Sequence, residues 1–501
     1  MRTVPGSTQS VVVIGAGLGG LSAALQLAGA ARNVTVVERE AVVGGRAGLI
    51  RDHGYRFDTG PTVLTMPELV ADAFAAVGED MADWLTLRRL DPAYRARFAD
   101  GSTIDVRADV DAMTDEIATH CSAADADGYR RFVAYLRSLY EVEMPHFIER
   151  NLDSPFALLG APLARLTAMG GFRRLGPKVA QYFQDERLRR LFSFQSMYAG
   201  LAPDDALAIY AVITYMDCVR GVYFPVGGMH EVPRALAAAA SAHGVRFRMN
   251  TTVARIEVAG GRASAVITSD GDRIPADVVV VNADLPTAYD ELLPPGYAPR
   301  RLRRLKYSPS AVVLHAGSSA SFEELAHHTI NFGTAWGETF RQIIDRGELM
   351  SDPSFLLTNP TRTDPSLAPA GRHTYYALFP APNTAGRAAV DWADGAKAYR
   401  DQIVDTLEAR GYPGFGAGIE CEHLVTPADW RAQGLAAGAP FAAAHSFRQT
   451  GPFRAPTLDR RVENLVFCGS NTQPGVGVPM VLISGRLAAQ RITGALGPSV
   501  A

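Results

Sequence analysis

The chain has 501 residues, 47% of them hydrophobic and 20% charged, with a formal net charge of −3. That length exceeds what one hydrophobic core supports, so two or three domains are expected. The balance excludes an electrostatic nucleic-acid binder, a disordered chain and a polytopic membrane protein.

Residues 11–30 read VVVIGAGLGGLSAALQLAGA, with only Ser22 and Gln26 plainly polar. The length suits a membrane span, and Ala28-Gly29-Ala30 mimics a signal cleavage site. The clustered Gly15, Gly17, Gly19 and Gly20 argue against both, as does the β-branched run at 34–37 ending in Glu38. The order predicts a buried parallel strand at 11–14, a glycine turn, a helix, a second strand and an acid. Gly15, Gly17 and Gly20 satisfy G-x-G-x-x-G. In that motif the first glycine makes the tight turn, the second lets backbone approach a pyrophosphate, and the third lets helix and strand pack closely. The helix starting near Gly17 aims unpaired N–H groups at the phosphates. Glu38 is placed to accept hydrogen bonds from a ribose 2′-OH, and would repel a 2′-phosphate. The N-terminus is therefore expected to stay attached, with no cleaved signal.

Gly44-Gly45-Arg46 follows, and a cation there suits the diphosphate of an extended dinucleotide. Gly60-Pro61 forms a turn that brings backbone close to a ring. From about residue 68 to 221 the chain reads as helical, with a helix over 125–143 stopping before Pro145. Residues 156–183 mix apolar side chains with Arg165, Arg173, Arg174 and Lys178. That pattern suits a helix lying in a membrane interface, apolar face down and cations toward the head groups. Elsewhere no uninterrupted apolar run of about 20 residues is found, so attachment at the surface is expected rather than crossing.

A helix over 228–243 precedes a strand at 245–249 and a meander at 253–258, 263–268 and 273–275, with turn residues between. Residues 277–283 read as another buried strand. Runs at 311–315, 354–358 and 373–379 predict a second sheet. His327-His328 looks like a metal pair, but neighbours on a strand face opposite ways, so both are read as packing residues. At the C-terminus a strand at 465–467 leads to a tight turn at Gly469. Gly475, Gly477 and Pro479 then form a loop entering a helix whose N-terminus would stabilise negative charge on a reduced ring. Cys121, Cys218, Cys421 and Cys468 lie far apart with no CxxC pair, which fits small buried hydrophobes in a reducing cytosol.

Longer motifs carry a resemblance. GAGLGGLSAALQLA, the Glu38 to Gly44-Gly45-Arg46 spacing, FDTGPTVLTMPE, DERLRRLFSFQSMYAG, VYFPVGGMHEVPRAL, HHTINFG and the C-terminal segment span almost the whole chain. Together they resemble the bacterial phytoene desaturase family, carotenoid desaturases within the amine oxidase-like flavoproteins. The resemblance implies an α/β fold with a discontinuous Rossmann-type FAD-binding domain at 1–70, 222–288 and 460–501. It also implies a helical insert at 71–221 with a membrane-binding face, and an α+β substrate domain of sheet and covering helices at 289–459. FAD contacts fall on Gly15, Gly17, Gly19, Gly20, Glu38, Gly45, Arg46, Gly60, Pro61, Val253 (near the adenine), Gly469, Val478, Pro479 and Met480. Gln473 departs from the histidine found in many relatives, and Ser470-Asn471 follows Gly469 where many flavoproteins carry aspartate.

The activity implied is FAD-dependent desaturation of phytoene toward lycopene, with hydride passing to flavin N5, by a cytoplasmic enzyme peripherally bound to membrane. A second G-x-G-x-x-G after a strand is absent, so the expected electron acceptor is diffusible, oxygen or a quinone. Glu231, His230, Asp204 and Asp205 are candidates for accepting a proton or stabilising a cation. Each reads first as an ordinary surface or fold-supporting residue, so no catalytic residue is assigned, and no metal. Diapophytoene or hydroxyneurosporene desaturation and carotene isomerisation share the same flavin motifs. An amine or porphyrinogen oxidase, or a non-enzymatic lipid-binding relative, fits less well.

Overall fold

A computed structural model describes residues 1–386 and 390–495. Residues 387–389 and 496–501, inside the expected substrate and FAD-binding segments, lie outside the described residues.

A five-stranded sheet runs in the order Leu465–Phe467, Val278–Val281, Ser10–Ile14, Asn33–Val37 and Arg246–Arg248. All four pairings are parallel. Parallel strands covered on both faces need unbroken apolar runs, and Val278–Val281 is four buried valines. The sheet thus gathers strands from three distant parts of the chain. Helix Leu18–Gly29 packs on the C-terminal helix Val478–Thr493 through glycines. A Cβ on Gly485 would stand 2.3 Å from the Gly19 carbonyl oxygen, and one on Gly20 would stand 2.2 Å from that of Gly15. Only bare backbone permits these approaches, so the third glycine of the motif serves packing, as expected.

The predicted meander is present as Val253–Ala259, Arg262–Thr268 and Arg273–Pro275. A second sheet has seven strands, in the order Ile419–Val425, Ser310–Ser318, His373–Ala381, Phe355–Thr358, His328–Asn331, Tyr94–Arg97 and Thr103–Val106. Its last two strands correct the all-helical reading of 68–221. In Tyr94-Arg95-Ala96-Arg97 the tyrosine and alanine are buried while the arginines are half-buried. That period of two marks a strand, but it is too short to stand out among charges.

Helix Ala123–Glu143 starts where Ser122 Oγ accepts the Asp125 N–H at 3.0 Å. It gives way to a wider turn, Met144–Ile148, around Pro145. Residues 156–183 do not form one interfacial helix. They break into short turns of helix at Pro155–Leu158, Ala161–Ala168 and Leu175–Val179, with Gly160, Gly170 and Gly171 between them. Lys178 does not face outward as a free cation, because its Nζ lies 4.4 Å from the centre of the Tyr135 ring. Among the described residues, no helix is long and apolar enough to cross a membrane.

Candidate active site

One cavity of about 1790 Å³ lies between the two sheets and the helical segments. It exceeds the ~300–1,000 Å³ of an ordinary small-molecule site. Its polar end lies at the carboxyl ends of the parallel strands, where open α/β sheets bind ligands. Gly15, Gly17, Gly19, Glu38, Gly45, Arg46, Gly60, Pro61, Val253, Gly469, Val478, Pro479 and Met480 all line it. Gly20 does not, consistent with its packing role.

At Gly15 the chain turns with φ +96°, and its N–H donates to the Val37 carbonyl at 2.8 Å. Glu38 is nearly buried. Its carboxylate accepts the Ala16 N–H at 2.6 Å and the Glu40 N–H at 3.0 Å. The acid therefore clamps the glycine turn from the end of the next strand. Each oxygen keeps a further lone pair for a hydroxyl.

Asn282 escaped the sequence reading. A Cβ on Gly17 or on Gly19 would fall 2.7 Å from its amide, so it fills the floor under the glycine turn. The available signal was a polar residue directly after a strand of four valines.

Arg46 Nη2 donates to Ser470 Oγ at 2.6 Å, and Nη1 donates to the Pro440 carbonyl. Asn471 Nδ2 donates to Asp284 Oδ1 at 2.5 Å. The Ser470-Asn471 pair thus occupies both polar neighbours of this corner, and Asp284 brings the carboxylate that position 470 lacks. Gly60 passes so close to Arg46 that a Cβ would meet its carbonyl oxygen at 1.9 Å.

The Val478–Thr493 helix begins at Gly477, φ +111°, with no side-chain cap. Its first N–H groups are unsatisfied within the helix, and Val478 and Met480 bring them to the cavity wall. Gln473, in place of the expected histidine, donates to the carbonyls of Leu152 at 3.1 Å and Gly451 at 3.2 Å. It ties the C-terminal loop to the helical segment. An imidazole is nevertheless present: a Cβ on Gly475 would meet the His445 ring at 2.1 Å.

Beyond these turns the cavity continues between apolar side chains, including Phe147, Leu166, Phe194, Ile213, Phe332 and Trp336. The four candidate acid–base residues do not line it. Glu231 pairs with Arg56 at 3.1 Å and with Arg234. His230 Nδ1 lies 2.9 Å from the Ala47 carbonyl oxygen, and Asp204 and Asp205 are exposed. His327 and His328 are buried, with Nδ1 atoms 2.6 Å from Thr363 Oγ1 and 3.0 Å from Thr358 Oγ1, as packing residues.

Two acids that the sequence reading missed, Glu143 and Asp217, do line the cavity. Asp217 could have been noticed as the lone charge in the run ALAIYAVITYMDCV at 206–219. All four cysteines are free, with Cys218 and Cys468 buried. Asp52, His53 and Cys421 cluster away from the cavity, where Asp52 pairs with His53 at 2.6 Å and His423 at 3.1 Å.

The glycine turn between two parallel strands, the buried Glu38 that clamps it, Arg46 and the uncapped helix end surround one end of a large chamber, the arrangement of a dinucleotide-dependent oxidoreductase. The family model for flavin-containing amine oxidoreductases matches residues 18–493. A phytoene dehydrogenase from Streptomyces griseus is 57% identical over 99% of this chain and 97% of its own. A zeta-carotene-forming phytoene desaturase from Myxococcus xanthus is 38% identical over 97% and 94%. The crystal structure of an oxidoreductase from Methanosarcina mazei shares the fold, with a TM-score of 0.63 at 18% identity, covering 95% of this chain and 98% of that one. The chain belongs to the phytoene desaturase family of the flavin-containing amine oxidoreductases, and it is an FAD-dependent oxidoreductase.

Proposed function

We propose that the protein introduces conjugated double bonds into phytoene, toward lycopene. The continuity of the cavity carries this reading: it runs from the glycine turns into a chamber walled by aliphatic and aromatic side chains. Such walls recognise a long hydrocarbon by burial, with few polar contacts to satisfy. The 57% identity to a protein named phytoene dehydrogenase supports the same substrate.

In this reading residues 1–70, 222–288 and 460–501 hold FAD, 71–221 form the insert, and 289–459 the substrate domain. Glu38 accepts the ribose hydroxyls, and Val253 lies by the adenine. The backbone around Gly15, Gly17 and Gly19, with Gly45 and Arg46, holds the diphosphate. Gly60, Pro61, Gly469 and the helix start at Val478, Pro479 and Met480 flank the ring. The cradle fits the group, because Gly15, Gly17 and Gly19 present bare backbone to the cavity beside the Glu38 carboxylate and the Arg46 guanidinium. Bound there, FAD supplies a two-electron oxidant for a C–H bond. The protein's own work is to hold one bond of the polyene in line with that ring and to exclude water. The electrons leave to oxygen or a quinone.

The polyene is expected to arrive from a membrane. Phe172, Phe447 and Phe453 are exposed and also line the cavity. Phe156 and Leu159, 80% and 69% exposed, belong to the same insert, which carries exposed Arg165, Arg173 and Arg174. Exposed apolar side chains and cations on one segment suit a lipid surface, so the enzyme would act in the cytoplasm, attached peripherally.

Expression in a cell that accumulates phytoene tests the substrate. Coloured polyenes should appear, and chromatography of the extract would distinguish lycopene from shorter products. Colourless cells that contain soluble, flavin-loaded protein would defeat the proposal.

A further inference from the structure

Asp217 and Glu143 are nearly buried, and each has a carboxyl oxygen without a hydrogen-bond partner: Oδ1 of Asp217 and Oε1 of Glu143. No arginine, lysine or histidine among the described residues forms an ion pair with either. A bare buried carboxylate is costly, and folds normally pair it or replace it. Both residues nevertheless line the same chamber as the apolar side chains of Phe147, Phe194, Ile213 and Phe332. Asp217 lies in a widened helical turn, Tyr215–Val219, a local irregularity often found at functional sites. Tyr94 Oη donates a long hydrogen bond of 3.5 Å to Asp217 Oδ2, and the neighbouring Cys218 also stabilises the carboxylate.

We propose that Asp217 accepts the proton that the polyene loses in each desaturation and holds negative charge opposite the cation that develops there. The inference rests on the desaturase reading above. FAD, when bound, would supply the two-electron oxidant that takes a hydrogen with both bonding electrons from one allylic C–H bond. The adjacent C–H bond gives its proton to the Asp217 carboxylate, and its electron pair becomes the new π bond. The substrate thereby loses two hydrogens, and the carboxyl returns its proton to solvent before the next turn. Adjacent double bonds spread the transient positive charge, and a carboxylate in a water-poor chamber stabilises that charge far more than it would in water.

The surroundings suit this role for Asp217 rather than for Glu143. Burial pushes the Asp217 carboxyl up to about 7, so it exchanges a proton near neutral pH. Burial pushes Glu143 well above the usual carboxylate range with nothing opposing it. The titratable groups facing Asp217 are Tyr94, Tyr198 and Cys218, all raised by burial and neutral at this pH. His328, whose ring lies 5.7 Å from that of Tyr94, is held neutral by burial. Asp217 is therefore the group of this set that titrates near neutrality.

The test compares wild type, Asp217→Asn and Asp217→Glu as FAD-loaded proteins on phytoene in liposomes. Initial rates are followed across pH by polyene absorbance, alongside flavin content and the protonated-carboxyl infrared band. Wild-type kcat should rise with pH through about 7, as the carboxylate ionises. Asp217→Asn should lose about 10²-fold in kcat with little change in KM, and lose that pH limb and the titrating infrared band. Asp217→Glu should restore part of kcat, with a displaced midpoint. A fully active Asp217→Asn, or one that keeps the limb, overturns the inference while leaving phytoene desaturation standing. Inactive, flavin-loaded wild type sinks both. Should Asp217→Asn fail to fold, Asp217→Glu decides: an unchanged midpoint in rate and infrared titration overturns the inference.

Discussion

Glu38 receives the Ala16 N–H at 2.6 Å, which locks the end of the second strand onto the turn that follows the first. The same carboxylate is the group proposed to hold the ribose, so one substitution should have two effects. Glu38→Ala should weaken FAD by about 1–3 kcal/mol, from lost charge-assisted bonds and an orphaned amide. It should also lower the stability of the FAD-free protein. Glu38→Gln keeps an acceptor oxygen and should cost less on both counts. Fluorescence titration of stripped protein with FAD, paired with thermal melts, measures both effects. Wild-type affinity in Glu38→Ala would mean that Glu38 does not hold the ribose.

Gly60 offers a sharper steric test. Its φ is unremarkable for an ordinary residue, so the barrier to substitution is contact rather than backbone strain. A Cβ would lie 1.9 Å from the Arg46 carbonyl oxygen. Gly60→Ala should therefore push apart the two turns that flank the cavity, costing about 1–3 kcal/mol. The flavin-to-protein absorbance ratio of the purified variant should fall. Alanine at Gly78, where nothing lies within 4 Å but φ is +82°, serves as a control for destabilisation remote from the site.

How much of this was legible follows from the range of the interactions. The glycine turn, Glu38 and the helix start at Val478 are local patterns, each set by a few consecutive residues, and all can be read along the chain. Asn282 and Asp284 reach the same corner from a strand whose register places them there, and Ser470 meets Arg46 across 424 positions. Spacing cannot disclose such pairings. Tyr94–Arg97 and Thr103–Val106 were missed because their alternation is brief and they join a sheet whose other strands come more than 200 residues later. Asp217 was passed over for the opposite reason. Its run looks like core, and only the cavity beside it turns one acid into a candidate for chemistry.

His315 makes the fold sensitive to acid. It is fully buried on strand Ser310–Ser318, between Phe57 and Tyr376, and neither ring nitrogen has a partner. Burial, with His423 adding to it, pushes its pKa from 6.5 down to about 3. The folded state thus binds fewer protons than the unfolded chain between those values. Stability is complete above about 6.5 and is lost as pH falls toward 3. The loss approaches ~1.4 kcal/mol per pH unit for such a group. His327, also held near 3 by burial, adds a similar slope. His315→Phe keeps the ring contacts and removes the titration. Urea unfolding at several pH values should show a shallower acid slope in this variant, and an identical slope would assign the acid sensitivity to other groups.

The exposed aromatic patch yields the membrane prediction. Phe172 and Phe447 meet edge to face at 6.5 Å, and Phe447 and Phe453 lie tilted to one another at 5.8 Å, so two distant segments build one apolar surface at the cavity. Phe156 and Leu159 are exposed on the insert that carries Phe172, do not line the cavity and belong to no buried apolar cluster among the described residues. Full burial of such a side chain in lipid is worth about 1.5–3 kcal/mol. Phe156→Ser with Leu159→Ser should therefore lower partitioning onto vesicles by tenfold or more, while flavin content and melting temperature stay unchanged. Arg165→Gln with Arg173→Gln should act differently. It should weaken binding to anionic vesicles by about 1 kcal/mol per charge and leave binding to neutral vesicles intact. Sedimentation with vesicles of both compositions separates the two contributions. Turnover should follow the bound fraction when phytoene is supplied in the vesicle. If the serine variant binds and turns over like wild type, the polyene reaches the chamber by a different route.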